Sequence, residues 1–112
     1  GNKLMFCGNG GSAAESQHMA AEYCATLDHR KPRAGMPAMS LTTDTSLITA
    51  WSNDFGFEGI FTRQIETLGS EGDILIAYST SGSSKNIDVS GMNIYVGLDV
   101  HSVIALVPIR VQ

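Results

Sequence analysis

Apolar and polar positions fall in blocks along this chain. Leu4-Met-Phe-Cys7, Pro37-Ala-Met-Ser-Leu41 and Ile74-Leu-Ile-Ala-Tyr78 are short, nearly unbroken apolar runs, the last being the most apolar. Such runs predict strands buried on both faces, the habit of parallel sheets covered by helices. Between them the spacing becomes helical. A first helical pattern opens at Ser12 and carries Cys24, and a second covers Leu47 to Ser52. A third places Ile60, Phe61, Gln64, Ile65 and Leu68 on one face and ends at Gly69 as its C-cap. The hydroxyls of Thr42-Thr43-Asp44-Thr45-Ser46 are placed to cap the second helix, and Asn53-Asp54-Phe55-Gly56-Phe57 interrupts it. Alternating strands and helices predict an α/β fold, a flavodoxin-like parallel-sheet sandwich with helices on both faces.

The last part of the chain departs from that pattern. Asn93 to Leu98 and Ser102 to Val107 both read as buried strands, with three residues between them. A parallel crossover needs about a dozen residues or more. Either the two runs form an antiparallel hairpin, or ordered segments are joined where intervening loops have been dropped. Ser84 to Asn93 is likewise short for a crossover helix.

The first strand runs into Gly8-Asn9-Gly10-Gly11, and the helix follows at once. Glycines there allow positive φ and close backbone approach, and a helix N-terminus offers free N–H groups and the positive end of the dipole. Ser12 and Glu15 fit a capping box. One turn along, His18 and Glu22 are four apart and share a face, either as an ordinary surface pair or as functional groups beside a ligand seated in the loop. The third strand likewise ends in Ser79-Thr80-Ser81-Gly82-Ser83-Ser84, a set of hydroxyls and amides suited to the three acceptor oxygens of a phosphate monoester. Ligands of such folds lie outside the carboxyl ends of the strands, where the glycine loop, Thr42–Thr45 and the Ser/Thr loop converge. No P-loop signature is present, which argues against nucleotide hydrolysis.

Composition narrows the classes without choosing among them. The chain has 112 residues, with 43% hydrophobic and 16% charged residues, as in a soluble globular domain. Its formal charge of −4 and scattered basic residues exclude a nucleic-acid surface of the usual kind. No apolar run reaches the ~20 residues of a membrane span. Cys7 and Cys24 sit in no Cys-x-x-Cys arrangement, and two free thiols in a cytoplasmic protein is the simplest account.

The motifs together resemble the sugar isomerase (SIS) domain family and, within it, the phosphoheptose isomerases. They are Cys-Gly-Asn-Gly-Gly-Ser-Ala-Ala with Gln-His-Met-Ala-Ala-Glu, then Leu-Thr-Thr-Asp-Thr-Ser, Asn-Asp-Phe-Gly-Phe, Phe-Thr-Arg-Gln and Ser-Thr-Ser-Gly-Ser-Ser, all within residues 1 to 87. A weaker match continues to Pro108. The resemblance implies a single SIS domain over residues 1–112, with the family's N- and C-terminal helices and some internal loops outside it. It implies an aldose–ketose isomerase that converts sedoheptulose 7-phosphate to glycero-manno-heptose 7-phosphate for lipopolysaccharide heptose. By the same resemblance Asn9, Gly10, Gly11 and Ser12 contact substrate, Asn53 and Asp54 line the sugar site, and Ser79, Thr80, Ser81 and Ser84 cradle the phosphate. His18, Glu22 and Gln112 match zinc ligands, one ion per subunit, with Gln112 also near substrate. Glu22 serves as acid/base with His18 beside it. A cytoplasmic homotetramer is implied too. Thr26 stands where relatives commonly carry Arg.

The chemistry suits those side chains. Moving a proton between C1 and C2 through an enediol is work for a carboxylate and an imidazole. Zinc accepts His nitrogen and carboxylate oxygen. Two competing readings are a noncatalytic SIS-domain protein that binds phosphosugars or associates with a replication initiator, and a sugar-phosphate-sensing regulator. Gly10-Gly11-Ser12 and Asn53 to Phe57 follow the isomerase pattern, and no DNA-binding segment is present.

Overall fold

A computed structural model describes residues 1–81, 84–87, 95–99 and 102–109. Strand β1 (Leu4–Cys7) leads through the glycine turn into α1 (Gly11–Cys24), then β2 (Ala38–Ser40), α2 (Thr45–Phe55), a 3₁₀ turn at Phe57–Gly59 and α3 (Ile60–Leu68). Strand β3 (Ile74–Ser79) follows, then a 3₁₀ turn at Lys85–Ile87, β4 (Tyr95–Asp99) and β5 (Ser102–Pro108). The sheet has the order β2-β1-β3-β5-β4. Strands β2, β1 and β3 are parallel, with Leu4 opposite both Ala38 and Ile74. Strand β5 joins β3 antiparallel, from Ile74↔Pro108 to Ser79↔Val103, and β4 joins β5 antiparallel from Tyr95↔Leu106 to Asp99↔Ser102. The last two apolar runs are paired antiparallel, and residues 100 and 101 between them lie outside those described. The stretch from Ser84 to Asn93, short for a crossover helix, lies beyond Ile87 outside the described residues.

The two faces of the parallel core bury different residues, as the twofold alternation of a strand requires. Met5 and Cys7 of β1 and Leu75 and Ala77 of β3 join Leu41, Ile60, Phe61 and Ile109 in one cluster, packed by Ile48, Trp51 and Ile65 from α2 and α3. Phe6, Tyr78 and Ala20 form the other cluster, beneath α1. There the Phe6 ring stacks on Tyr23 and Tyr78, with centroids 6.0 and 6.4 Å away. Helices therefore cover both faces, as the apolar runs predict. Within α3, Ile60, Phe61 and Gln64 are buried while Leu68 is largely exposed. The Gln64 amide donates to the carbonyls of Leu41 (2.8 Å) and Ile60 (3.0 Å), tying α3 to the end of β2.

Three sequence expectations, the length of α2, its hydroxyl cap and the capping box at Ser12, give way locally. Helix α2 is longer than Leu47–Ser52 and takes Asn53 and Asp54 into its last turn. Its cap is the Asp44 carboxylate, which accepts from the Leu47 N–H at 3.1 Å, so a charged oxygen replaces the expected hydroxyls. The capping box at Ser12 does not form. Gly10 is the N-cap, so Ser12 lies inside the first turn, buried, and Glu15 is exposed. Gly69 caps α3 as expected, in extended backbone, its N–H bonded to the Ile65 carbonyl.

At the amino ends of the strands a polar network replaces apolar packing. The buried Asp73 carboxylate accepts from the Lys3 ammonium (2.6 Å), the Lys3 and Ser70 N–H groups and the Asn2 amide. This network joins the starts of β1 and β3 and leaves the carboxyl edge to the polar loops.

Candidate active site

The loop after β1 is shaped by two glycines with different duties. Gly8 is buried against α1, and a Cβ there would stand 2.7 Å from Ser12 Cβ and from the Ser12 carbonyl oxygen. Only a residue without a side chain permits this approach of strand and helix. Gly10 has φ 56°, the left-handed region that side chains disfavour. From it the chain turns directly into α1. The N–H of Ser12 bonds to Asn9 O (2.9 Å) and that of Ala13 to Gly10 O (3.0 Å). The Gly11 N–H, first in the helix, has no intrahelical partner and is a donor for an anion.

Helix α1 carries the pair expected from the i,i+4 spacing. His18 Nε2 lies 3.4 Å from Glu22 Oε1. The two differ in environment, with the His18 side chain 68% exposed and that of Glu22 22%. Glu22 Oε2 is buried and hydrogen-bonded to nothing among the described residues. An ordinary surface pair would leave both carboxylate oxygens wet. The helix end is held by Arg33, whose guanidinium donates to the carbonyls of Glu22 (2.6 Å) and Tyr23 (3.0 Å). A cation there also complements the negative end of the helix dipole. Thr26 lies beyond the helix and donates to the Asp28 carbonyl at 3.3 Å.

Among the described residues of the hydroxyl loop, Ser79 Oγ is 3.5 Å from Ser81 Oγ and 3.4 Å from Ser84 Oγ. These three hydroxyls form one cluster at the end of β3. Thr80 and Ser81 are exposed at this edge, while Ser79 is buried. Gly82 and Ser83 lie outside the described residues, as does Gln112. The glycine loop and the hydroxyl loop are joined by a reciprocal amide pair. Asn9 Nδ2 donates to Asn86 Oδ1 (2.7 Å), and Asn86 Nδ2 donates to Asn9 Oδ1 (2.9 Å). Asn86 is 6% exposed.

Asn53 and Asp54 are exposed in the last turn of α2, and Asn53 donates to Asp54 Oδ1 at 3.1 Å. No hydrogen bond among the described residues joins them to the glycine loop. The structure therefore groups Asn9, Gly10, Gly11, Ser79, Ser81 and Ser84 at one sheet edge, with His18 and Glu22 along the helix that starts there. An open cavity of about 250 Å³ lies between α1 and β2, lined by Gln17, Ala20, Cys24 and Met39 among others, and includes neither His18 nor Glu22. Burial pushes the Cys7 thiol up to about 12, so it stays protonated and is no nucleophile.

Sequence reasoning missed Asn86 and Arg33. Asn86 stands two residues past Ser84, but its partner is 77 residues away in sequence and nothing local announces the pair. Arg33 reads as one charge in a basic turn until α1 is seen to end beside it.

Comparison with known proteins agrees with this arrangement. The SIS domain family profile matches residues 1–106. A phosphoheptose isomerase of Burkholderia pseudomallei is 54% identical over 87 residues, covering 78% of this chain and 43% of the relative. That of Roseiflexus is 55% identical with the same coverage. The solved phosphoheptose isomerase of Neisseria gonorrhoeae superposes with a TM-score of 0.67 at 47% identity, over 76% of this chain and 42% of that one. The Francisella tularensis enzyme gives 0.71 at 41% identity, over 77% and 44%. The chain thus spans somewhat under half the length of the relatives it matches.

Proposed function

This chain belongs to the SIS domain family, and on that premise we propose that it is the sugar-phosphate-binding part of a phosphoheptose isomerase, interconverting sedoheptulose 7-phosphate and glycero-manno-heptose 7-phosphate. The observation that carries the reading is Glu22. One carboxylate oxygen faces an imidazole and the other is buried without a partner. Leaving a buried acceptor unsatisfied costs about 1–3 kcal/mol, a penalty that a proton-transferring or ligand-holding group offsets when its partner arrives.

In this reading the phosphate sits against Ser79, Ser81 and Ser84 and the free N–H of Gly11. Their donors match its acceptor oxygens, and the helix dipole favours its charge. The sugar then extends along α1. The Glu22 carboxylate takes a proton from C1 of the ketose, the electrons of that C–H bond form the C1–C2 double bond, and the carbonyl oxygen at C2 gains a proton. Return of a proton to C2, with loss of the O1 hydroxyl proton, leaves the aldose. His18, within 3.4 Å of Glu22, keeps the carboxylate oriented and is placed to exchange protons with it or with a substrate oxygen.

The same two side chains fit the zinc ion implied by the family. An imidazole nitrogen and a carboxylate oxygen are donors that zinc accepts, and these two lie together on one face of α1, 3.4 Å apart. His18 and Glu22 would hold the ion, with Gln112 a further donor by resemblance. No group of three or more His, Cys, Asp or Glu side chains that could hold a metal ion occurs among the described residues. When bound, zinc supplies polarisation of the substrate carbonyl and stabilises the negative oxygen of the enediolate. The homotetrameric, cytoplasmic form of the enzyme belongs to this proposal as well, and no helix among the described residues is long and apolar enough to cross a membrane. The test is an isomerase assay on the full-length protein with sedoheptulose 7-phosphate, with and without added zinc. Turnover is expected, and its absence under both conditions overturns the proposal in favour of a noncatalytic phosphosugar-binding protein.

A further inference from the structure

We infer that Asn86 is a positioning residue of the sugar-phosphate site, acting as a strut that holds the glycine loop against the hydroxyl loop through its reciprocal amide pair with Asn9. The inference rests on the phosphate-binding part of the function proposed above. The two hydrogen bonds, 2.7 and 2.9 Å, use the donor and the acceptor of each amide. The pair is the side-chain link between the two loops among the described residues, and Asn86 is almost wholly buried. It lies in the 3₁₀ turn Lys85–Ile87, anchored by the Ile87 N–H to the Ser84 carbonyl at 3.0 Å. Ser84 belongs to the hydroxyl cluster, and Asn9 immediately precedes Gly10 and Gly11. The strut therefore sets the distance between the two groups of donors that an anion must meet together.

A consequence concerns Asn9 itself. Its amide pairs with Asn86 through one N–H and one oxygen lone pair, which fixes the amide plane while a second N–H and a second lone pair remain to meet a ligand. An anion held by donors on two loops loses affinity steeply when the loops separate, because each hydrogen bond depends on the other's position.

Asn86→Asp is the informative substitution. A carboxylate has no N–H, so above its own pKa it accepts from Asn9 Nδ2 but leaves Asn9 Oδ1 unpaired, and it adds negative charge beside the anion. A neutral carboxylic acid has the same shape with one donor and one acceptor, so protonation restores the reciprocal pair. Burial raises the pKa of the new group toward the working range. The expected result in the full-length protein is a KM for sedoheptulose 7-phosphate raised about 10- to 30-fold at pH 7.5, with kcat changed much less. Relative to wild type at each pH, the defect shrinks as pH falls to 5.5. Asn86→Ala shows the same loss with no pH relief, and adding Asn9→Ala to it costs little more. Calorimetric titration with the sugar phosphate and with inorganic phosphate reads the same changes without turnover, and thermal melts identify the variants that remain folded. Wild-type affinity in folded Asn86→Asp at pH 7.5, or a defect of equal size at both pH values, overturns the strut. A wild type that binds phosphate but isomerises nothing leaves the strut standing on the titrations and removes only the isomerase reading. A wild type that binds neither probe removes both.

Discussion

Gly8→Ala tests whether the approach of β1 to α1 is as close as the site requires. The added methyl carbon would meet Ser12 Cβ and Ser12 O at 2.7 Å and Ser12 C at 2.8 Å. Ordinary contacts of such atoms begin near 3.4 Å. Two of the three atoms are backbone, so no rotamer change relieves the overlap, and the first turn of α1 must move by roughly half an ångström or more. Overpacking of this kind costs ~1–3 kcal/mol. For a domain of this size that corresponds to a fall in Tm of roughly 4–15 °C. The same shift tilts the Gly11 N–H away from the anion, so phosphate affinity should fall as well. The assays are thermal denaturation by circular dichroism and calorimetric titration with the sugar phosphate. Combining Gly8→Ala with Ser12→Gly removes only the Cβ contact and should recover less than half of the lost Tm. A variant melting within 1 °C of wild type, or full recovery in the double variant, would show that the helix start is not braced against Gly8.

Two further predictions concern titratable groups away from the reaction. Burial works against ionisation of Asp73, but hydrogen bonds from the Lys3 side chain and backbone, Ser70 and Asn2 outweigh it and hold the carboxyl well below the usual carboxylate range. A depressed folded-state pKa stabilises the fold fully above the unfolded value of 3.8 and progressively less as pH falls through the folded value. Urea titrations should therefore show stability lost below about pH 4, and Asp73→Asn should be less stable at pH 7 with a flatter acid limb. A variant with the wild-type acid profile would remove Asp73 from that role. The two thiols should react in sequence. Exposed Cys24 should label within seconds to minutes with a disulfide reagent at pH 8, whereas buried Cys7, with its thiol near 12, should label only on unfolding. Equal rates for both would contradict the packing of β1.

Much of the fold was legible because its signals are local. Leu4–Cys7 and Ile74–Tyr78 are apolar enough to require burial on both faces, and glycines at 8, 10 and 11 mark a turn that few other residues can make. The boundaries of α2 were not legible, because Asn53 and Asp54 read as breakers, yet their side chains bond to each other within the last turn. The capping box failed for a related reason. Ser-x-x-Glu marks a helix start only when the serine is the cap, and the left-handed Gly10 places the cap two residues earlier. At the site, the His18–Glu22 pair followed from spacing alone. The burial of Glu22 Oε2, the Arg33 clasp and the Asn9–Asn86 strut did not, since each depends on where distant segments pack.

The account stands most directly on Glu22 as the group that moves the proton between C1 and C2. The measurement is deuterium incorporation at C1 and C2 of the substrate pool in D₂O, followed by NMR, for wild type and Glu22→Gln at matched zinc content. Glutamine keeps the size of the side chain and its hydrogen bonding but removes the base, so exchange and turnover should both fall ~100- to 10,000-fold. Affinity for the phosphate should stay nearly unchanged, because the Ser79–Ser84 cluster is separate from Glu22. Wild-type exchange in Glu22→Gln, with normal metal content, would contradict the assignment and place the base elsewhere in the full-length protein.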